Sequence, residues 1–152
     1  MKKHDRIAIV NLHHGLGQCR KDAWEQVSPY LSGKGICLTF REISTLQSVY
    51  RYELTNETQL NLADLARRIQ LKNAITSQTV SNLVEKGLML REDDSENRRK
   101  VMISLSEKGR EVAENIAASA DGYLEKYLSA LTDAERAALF RIAAKLNPSF
   151  PY

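Results

Sequence analysis

Residues 61–105, NLADLARRIQ LKNAITSQTV SNLVEKGLML REDDSENRRK VMISL, decide how this chain is read. Asn61 is a side chain of the kind that caps helices. Leu62, Leu65, Ala66 and Ile69 follow it at spacings of three, one and three, a single apolar stripe on a short helix. Leu71-Lys72-Asn73 reads as a tight turn, and a second helix is expected from about Ala74 to Lys86. Gly87 stops that helix as a left-handed residue, with apolar Leu88 behind it. Two short helices joined by a three-residue turn have the shape of a helix-turn-helix. The hydrophobic period then changes to two. Leu88–Glu92 and Val101–Leu105 alternate like half-buried strands, around the polar loop Asp93 to Lys100. A helix-turn-helix followed by a hairpin with a charged tip is a winged helix.

Working outward, the flanks are helical. From His4 to about Leu31, the residues Ile9, Leu12, Leu16, Cys19, Trp24, Val27 and Leu31 recur at helical spacing. Gly15 and Gly17 weaken that helix, and Pro29 ends or kinks it. After the loop Gly33-Lys34-Gly35, Thr39 and Glu42 form a capping box for a helix whose apolar face is Ile43, Leu46, Val49 or Tyr50, and Leu54. Ser106 caps a long helix with Val112, Ile116, Ala120, Leu124 and Leu128 on one side. About 25 residues there span roughly 37 Å, more than a small lobe needs for its own core. Thr132 and Glu135 make another capping box, opening a last helix through Leu146.

The expected class is mainly α with a small β-hairpin wing, in one domain. A winged helix-turn-helix lobe occupies about 39–105, between long helical arms at about 4–31 and 106–147. The arms' apolar stripes either pack on each other within the chain or want a second copy of it.

Composition excludes several classes. The chain has 152 residues, 43% hydrophobic and 27% charged, enough to bury a core without metal or disulfide staples. Its longest aliphatic run, Ile7-Ala8-Ile9-Val10, is far short of the roughly 20 residues of a membrane span. That run is also too short for a signal peptide after Lys2-Lys3, so neither export nor a membrane location is expected. Cys19 and Cys37 make no disulfide framework and suit a reducing cytoplasm. His13 and His14 point about 100° apart on a helix and no paired His/Cys spacing completes a site, so no metal is expected. Nothing resembles a nucleophile with its base, a glycine-rich phosphate loop or a carboxylate pair; neither a cofactor nor an enzyme is expected.

Charge points to a partner. The formal net charge is only +3, but residues 1–60 carry eight bases against six acids, as do residues 61–101. The densest cluster is Arg98-Arg99-Lys100. At contact range such a cluster grips phosphate whatever the net charge; its other reading is charge balance against Asp93, Asp94 and Glu96. On a helical wheel, Ile75, Thr76, Thr79, Val80, Leu83 and Val84 face inward. Ser77, Gln78, Ser81 and Glu85 face outward, with Asn82 at their border. The exposed N-terminal half of that helix is thus short, polar and uncharged, which suits a major groove, where Gln78 and Asn82 can pair with adenine and Ser77 and Ser81 with base edges or phosphate. With Asn73 at the turn, these residues and Arg98, Arg99 and Lys100 form the candidate DNA contacts.

The run Leu62 to Arg110 resembles the MarR family of bacterial transcription regulators. The similarity lies in Leu83-Val84-Glu85-Lys86-Gly87-Leu88, then Arg91, then Asp93 to Arg99, then Leu105-Ser106-Glu107-Lys108-Gly109-Arg110. The family's wing ends in D-x-R, here Asn97-Arg98-Arg99, and its next helix opens like Leu105-Ser106-Glu107-Lys108-Gly109. The resemblance implies a homodimer held by the first helix and the last two, and a repressor of transcription on a pseudo-palindromic operator in double-stranded DNA. It also implies release by a small-molecule effector. Arg99 is then the wing arginine of the minor groove. His14, Trp24, Tyr50 and Arg51 are candidates for an effector crevice, core packing being the other reading of Trp24 and Tyr50. Cys19 is placed like a peroxide-sensing thiol, but Thr39-Phe40-Arg41-Glu42-Ile43 lacks the expected tyrosines, so it reads as a small hydrophobe. Two departures stand out. No Lys or Arg lies between Asn73 and Val84, and Asn97 replaces the wing aspartate. Phosphate anchors are therefore expected on the wing and at Arg67, Arg68 and Lys72. A winged-helix module for protein–protein contact, with no operator of its own, is the alternative.

Overall fold

The computed structural model describes residues 3–56, 58–93 and 100–146, and for 3–9, 12–13, 16–20, 23, 120–124, 126–127 and 146 the backbone alone. In chain order the elements are α1 (Lys3–Gly33), α2 (Phe40–Thr55), β1 (Leu60–Asn61), α3 (Leu62–Arg68), α4 (Asn73–Glu85), β2 (Met89–Asp93), β3 (Val101–Leu105), α5 (Glu107–Leu128) and α6 (Asp133–Leu146). The caps work as their chemistry dictates. Thr39 and Glu42 close a reciprocal box at α2, Asn61 accepts the Asp64 N–H at α3, and Ser106 accepts the Gly109 N–H at α5. Thr132 and Glu135 make the matching box at α6. Each such cap is worth about 0.5–2 kcal/mol to its helix.

The lobe closes around one core. Leu46 and Val49 of α2, Leu65 of α3, Val80 and Leu83 of α4 and Val112 and Ile116 of α5 are buried with Val27 and Leu31 from the end of α1. Leu88, just before β2, and Leu60, Met89, Ile103 and Leu105 of the sheet add to the core. Gly87 takes φ +69, and the Leu88 N–H returns to the Leu83 carbonyl at 2.9 Å, so α4 ends in a left-handed cap that feeds straight into β2. Gly109 has a different reason. A Cβ there would stand 1.8 Å from the Leu88 carbonyl oxygen, so only glycine lets α5 start against that strand.

Several expectations need correction. The hairpin is part of a three-stranded antiparallel sheet in the order β1-β3-β2, with Leu60 opposite Ile103 and Met89 opposite Leu105. A two-residue strand carries no period, so β1 has no sequence signal of its own. β2 buries only Met89, because its outer part runs beyond the core. Asn73 is the first residue of α4 rather than part of the turn, and the left-handed residue of that turn is Gln70, φ 55. Leu54 (61% exposed) lies past the last covered turn of α2, and Ile75 (37%) is outside the core. Trp24, at 39% exposed, is not a core residue within this chain, whereas Tyr50 packs half-buried against the core. Pro29 is accommodated inside α1, near its end.

α6 differs from the rest. It makes no extensive contact with any other described element, and Leu139, Phe140 and Ile142 on it stay largely exposed. No described helix is long and apolar enough to cross a membrane.

Candidate functional site

α4 is held from behind. Thr76, Thr79, Val80 and Leu83 are buried, while the helix's C-terminal end is tied to α2. The Lys86 ammonium lies 2.7 Å from Glu42 Oε1 and donates to the Cys37 carbonyl at 2.8 Å. Burial pushes the Glu42 carboxyl pKa upward, but hydrogen bonds from Lys86 and Thr39 outweigh it and hold the group below its ordinary value. The ion pair joins residues far apart in sequence and ties the end of α4 to the first turn of α2.

The outward side of α4 carries two stripes. Ile75, Gln78 and Asn82, at i, i+3 and i+7, border a groove of about 380 Å³ whose other wall is the first turn of α2 with Arg41. The Gln78 amide donates to Asn82 Oδ1 at 2.9 Å, so the two side chains are held as a pair. The second stripe is Ser77 and Ser81, both half-buried. Arg91 reaches across from β2 and places Nη1 3.4 Å from each serine hydroxyl. Strand alternation explains this reach. Met89 and Arg91 share a sheet face; Met89 fills the core, and Arg91, one rung further out, passes over the edge of α4.

The helix, which carries no Lys or Arg of its own, is thus bracketed by two arginines from outside it, Arg41 on one flank and Arg91 on the other. Neither was among the candidate contacts, although alternation from buried Met89 carried the signal for Arg91. Of the residues named from sequence, the structure groups Ser77, Gln78, Ser81 and Asn82 on one side of α4, with Asn73 exposed at its start. Lys100 is exposed just before β3. Asn97, Arg98 and Arg99 lie outside the described residues. Arg67 is ion-paired with Asp64, and the Arg68 guanidinium stacks 5.1 Å over the Tyr52 ring, so both have partners within the lobe. Lys72 is exposed beside the start of α4.

The other candidate residues are dispersed. Trp24 borders a cavity of about 240 Å³ with Ser28, Leu31, Ile36 and Cys37; His14, Tyr50 and Arg51 line neither this cavity nor the α4 groove. His14 and Arg51 are exposed. Cys19 is on α1, its side chain outside what is described, and Cys37 is a free, exposed thiol.

Comparison with known proteins bears on this geometry. Residues 38–101 match the MarR family. The chain is 28% identical over 93 residues to the HTH-type transcriptional repressor MdtR of Bacillus subtilis (strain 168). That alignment covers 61% of this chain and 60% of MdtR, so the match spans under two thirds of that relative. Among solved folds, the chain is similar to S. aureus MepR in its DNA complex, with a TM-score of 0.69, 20% identity and coverage of 91% of this chain and 97% of that one. It is also similar to the PcaV transcriptional regulator of Streptomyces coelicolor in complex with its natural ligand, with a TM-score of 0.66, 18% identity and coverage of 89% and 88%. Helix order and family segment coincide: the residues that match the MarR family, 38–101, are those of the helix-turn-helix lobe.

Proposed function

We propose that this chain is a cytoplasmic, homodimeric regulator of transcription that represses by binding a pseudo-palindromic DNA site, with no catalytic activity. In this reading the α4 helices of two protomers insert into successive major grooves, roughly 34–36 Å apart, and the hairpins between β2 and β3 lie along the flanking minor grooves. The observation that carries the proposal is the bracketed face of α4. An uncharged row that can read base edges is flanked by Arg41 and Arg91, which supply the phosphate anchors the helix lacks. Arg98, Arg99 and Lys100 are the proposed wing anchors.

The MepR complex with DNA supports the reading for the fold, and the name of MdtR supports repression. Dimerisation rests on the exposed Leu139 and Ile142 of α6, which a second copy would cover. A small-molecule effector is part of the proposal because PcaV was solved with its natural ligand. Trp24, beside its cavity, and His14, Tyr50 and Arg51 are the residues proposed to sense it.

The test is a titration of the purified chain on random duplex DNA at rising salt, followed by site selection from a random library. A steep loss of affinity with salt and a two-fold symmetric selected site are expected. Salt-insensitive or absent binding would leave a winged-helix module for protein contact.

A further inference from the structure

We infer that Ile75 is a specificity-determining residue that reads the methyl group of a thymine, beside the base pair that Gln78 contacts. The inference rests on the proposed reading of DNA by α4 and adds to it an apolar term. A helical wheel drawn from sequence turns Ile75 toward the core. The folded chain does not: the core side of α4 is already filled by Thr76, Thr79, Val80 and Leu83, and Ile75 is 37% exposed.

It is exposed on a particular side. Ile75 borders the same groove as Gln78 and Asn82, so the three side chains form one row along the helix. Ile75 is in the first turn of α4, and the N-terminal half of a recognition helix is the part that meets base edges. The part of that aliphatic side chain left to water gains nothing in the free protein. In a major groove it meets the one apolar group that base pairs display, the thymine C5-methyl. Its partners in the row are amides, linked by the Gln78–Asn82 hydrogen bond, and an amide can take adenine bidentately. Ile75 and Gln78 would then prefer adjoining A·T pairs through different chemistry, one by dispersion and desolvation and the other by hydrogen bonds.

The two contributions separate experimentally. A duplex selected by the purified chain is resynthesised with each thymidine replaced singly by deoxyuridine, which removes the methyl and keeps the pairing. One thymine per half-site should be sensitive, its replacement weakening binding by about four-fold, the worth of one buried methyl-sized group. Ile75→Ala should bind the parent duplex more weakly and be indifferent to that replacement, while Gln78→Ala should still feel it. Ile75→Val, which retains part of the side chain, should show an intermediate effect. Tolerance of every deoxyuridine by the unmutated chain would overturn the inference without any variant having to fold. So would an unchanged methyl effect in a folded Ile75→Ala. Failure to select any site would instead overturn the DNA-reading proposal beneath it. A selected site that responds to Gln78→Ala but not to methyl loss overturns the role of Ile75 alone.

Discussion

Leu83 and Ile142 are both aliphatic side chains on helices, yet Leu83 is fully buried and Ile142 is 54% exposed. The first belongs to a lobe whose core is closed within the chain, by α2, α3, α4, α5, the sheet and the end of α1. The second is on α6, which makes no extensive contact with any other described element. Two helices of comparable length therefore owe their stability to different sources. A 14-residue helix is marginal in water by itself, so in the dimer proposed above α6 would gain from a second copy what α4 already gains from its own core.

The largest expected effect tests the lobe's self-sufficiency. Leu83→Ala should cost about 2–5 kcal/mol in urea unfolding, with no dependence on protein concentration. A concentration-dependent loss would mean that the lobe, too, is completed by a second copy. The converse holds for α6. The unmutated chain should have twice its 17.2 kDa mass in solution, and Ile142→Asp should reduce that to one chain while leaving the lobe folded. An unmutated chain that stays monomeric at micromolar concentration would remove the reason given for the exposed row on α6.

A third prediction compares the flanks of α4 with its centre. Arg91→Ala should weaken binding to random duplex and to a selected site alike, and flatten the salt dependence by about one unit of slope for each phosphate charge no longer neutralised. Gln78→Ala should cost about 1–3 kcal/mol on the selected site and leave random duplex almost untouched, since a neutral amide releases no counterion. Equal behaviour of the two variants would erase the distinction between anchoring and reading.

The smallest expected effect concerns Glu42. Its carboxyl is held below the ordinary carboxylate pKa in the folded chain, so the unfolded chain takes up its proton first as pH falls. The stability from the Lys86–Glu42 pair is then fully present above about pH 4.3 and is lost as the pH drops through the folded value. Glu42→Gln should be less stable at neutral pH and should lack that part of the acid dependence in thermal melts. Parallel stability–pH curves for the two proteins would show that the pair contributes nothing through charge.

Much of the fold was legible without coordinates. Asn61, Thr39 with Glu42, Ser106 and Thr132 with Glu135 all cap as read, and Gly87 stops α4 with a positive φ. The outward placement of Ser77, Gln78, Ser81 and Asn82 followed from the wheel as well. The same wheel failed at Ile75, because periodicity ranks faces by hydropathy and cannot tell how wide the covering core is. It failed at Trp24 and Leu54 for the same reason. Arg41 went unremarked because nothing in the sequence says that the start of α2 lies beside the middle of α4.

By itself, then, the sequence determined the helices, their ends, the hairpin and the polar row on α4. Caps and hydrophobic periods act between residues only a few positions apart. Tertiary structure alone decided which charges stand beside that row. Arg91 meets Ser77 and Ser81 from 14 and 10 residues away, and Lys86 meets Glu42 from 44. The Glu53 carboxylate receives the Leu105 N–H across 52 residues, tying α2 to the end of β3. Such contacts depend on how packed elements are turned toward each other. Core volume sets that rotation, and it leaves no local pattern in the chain.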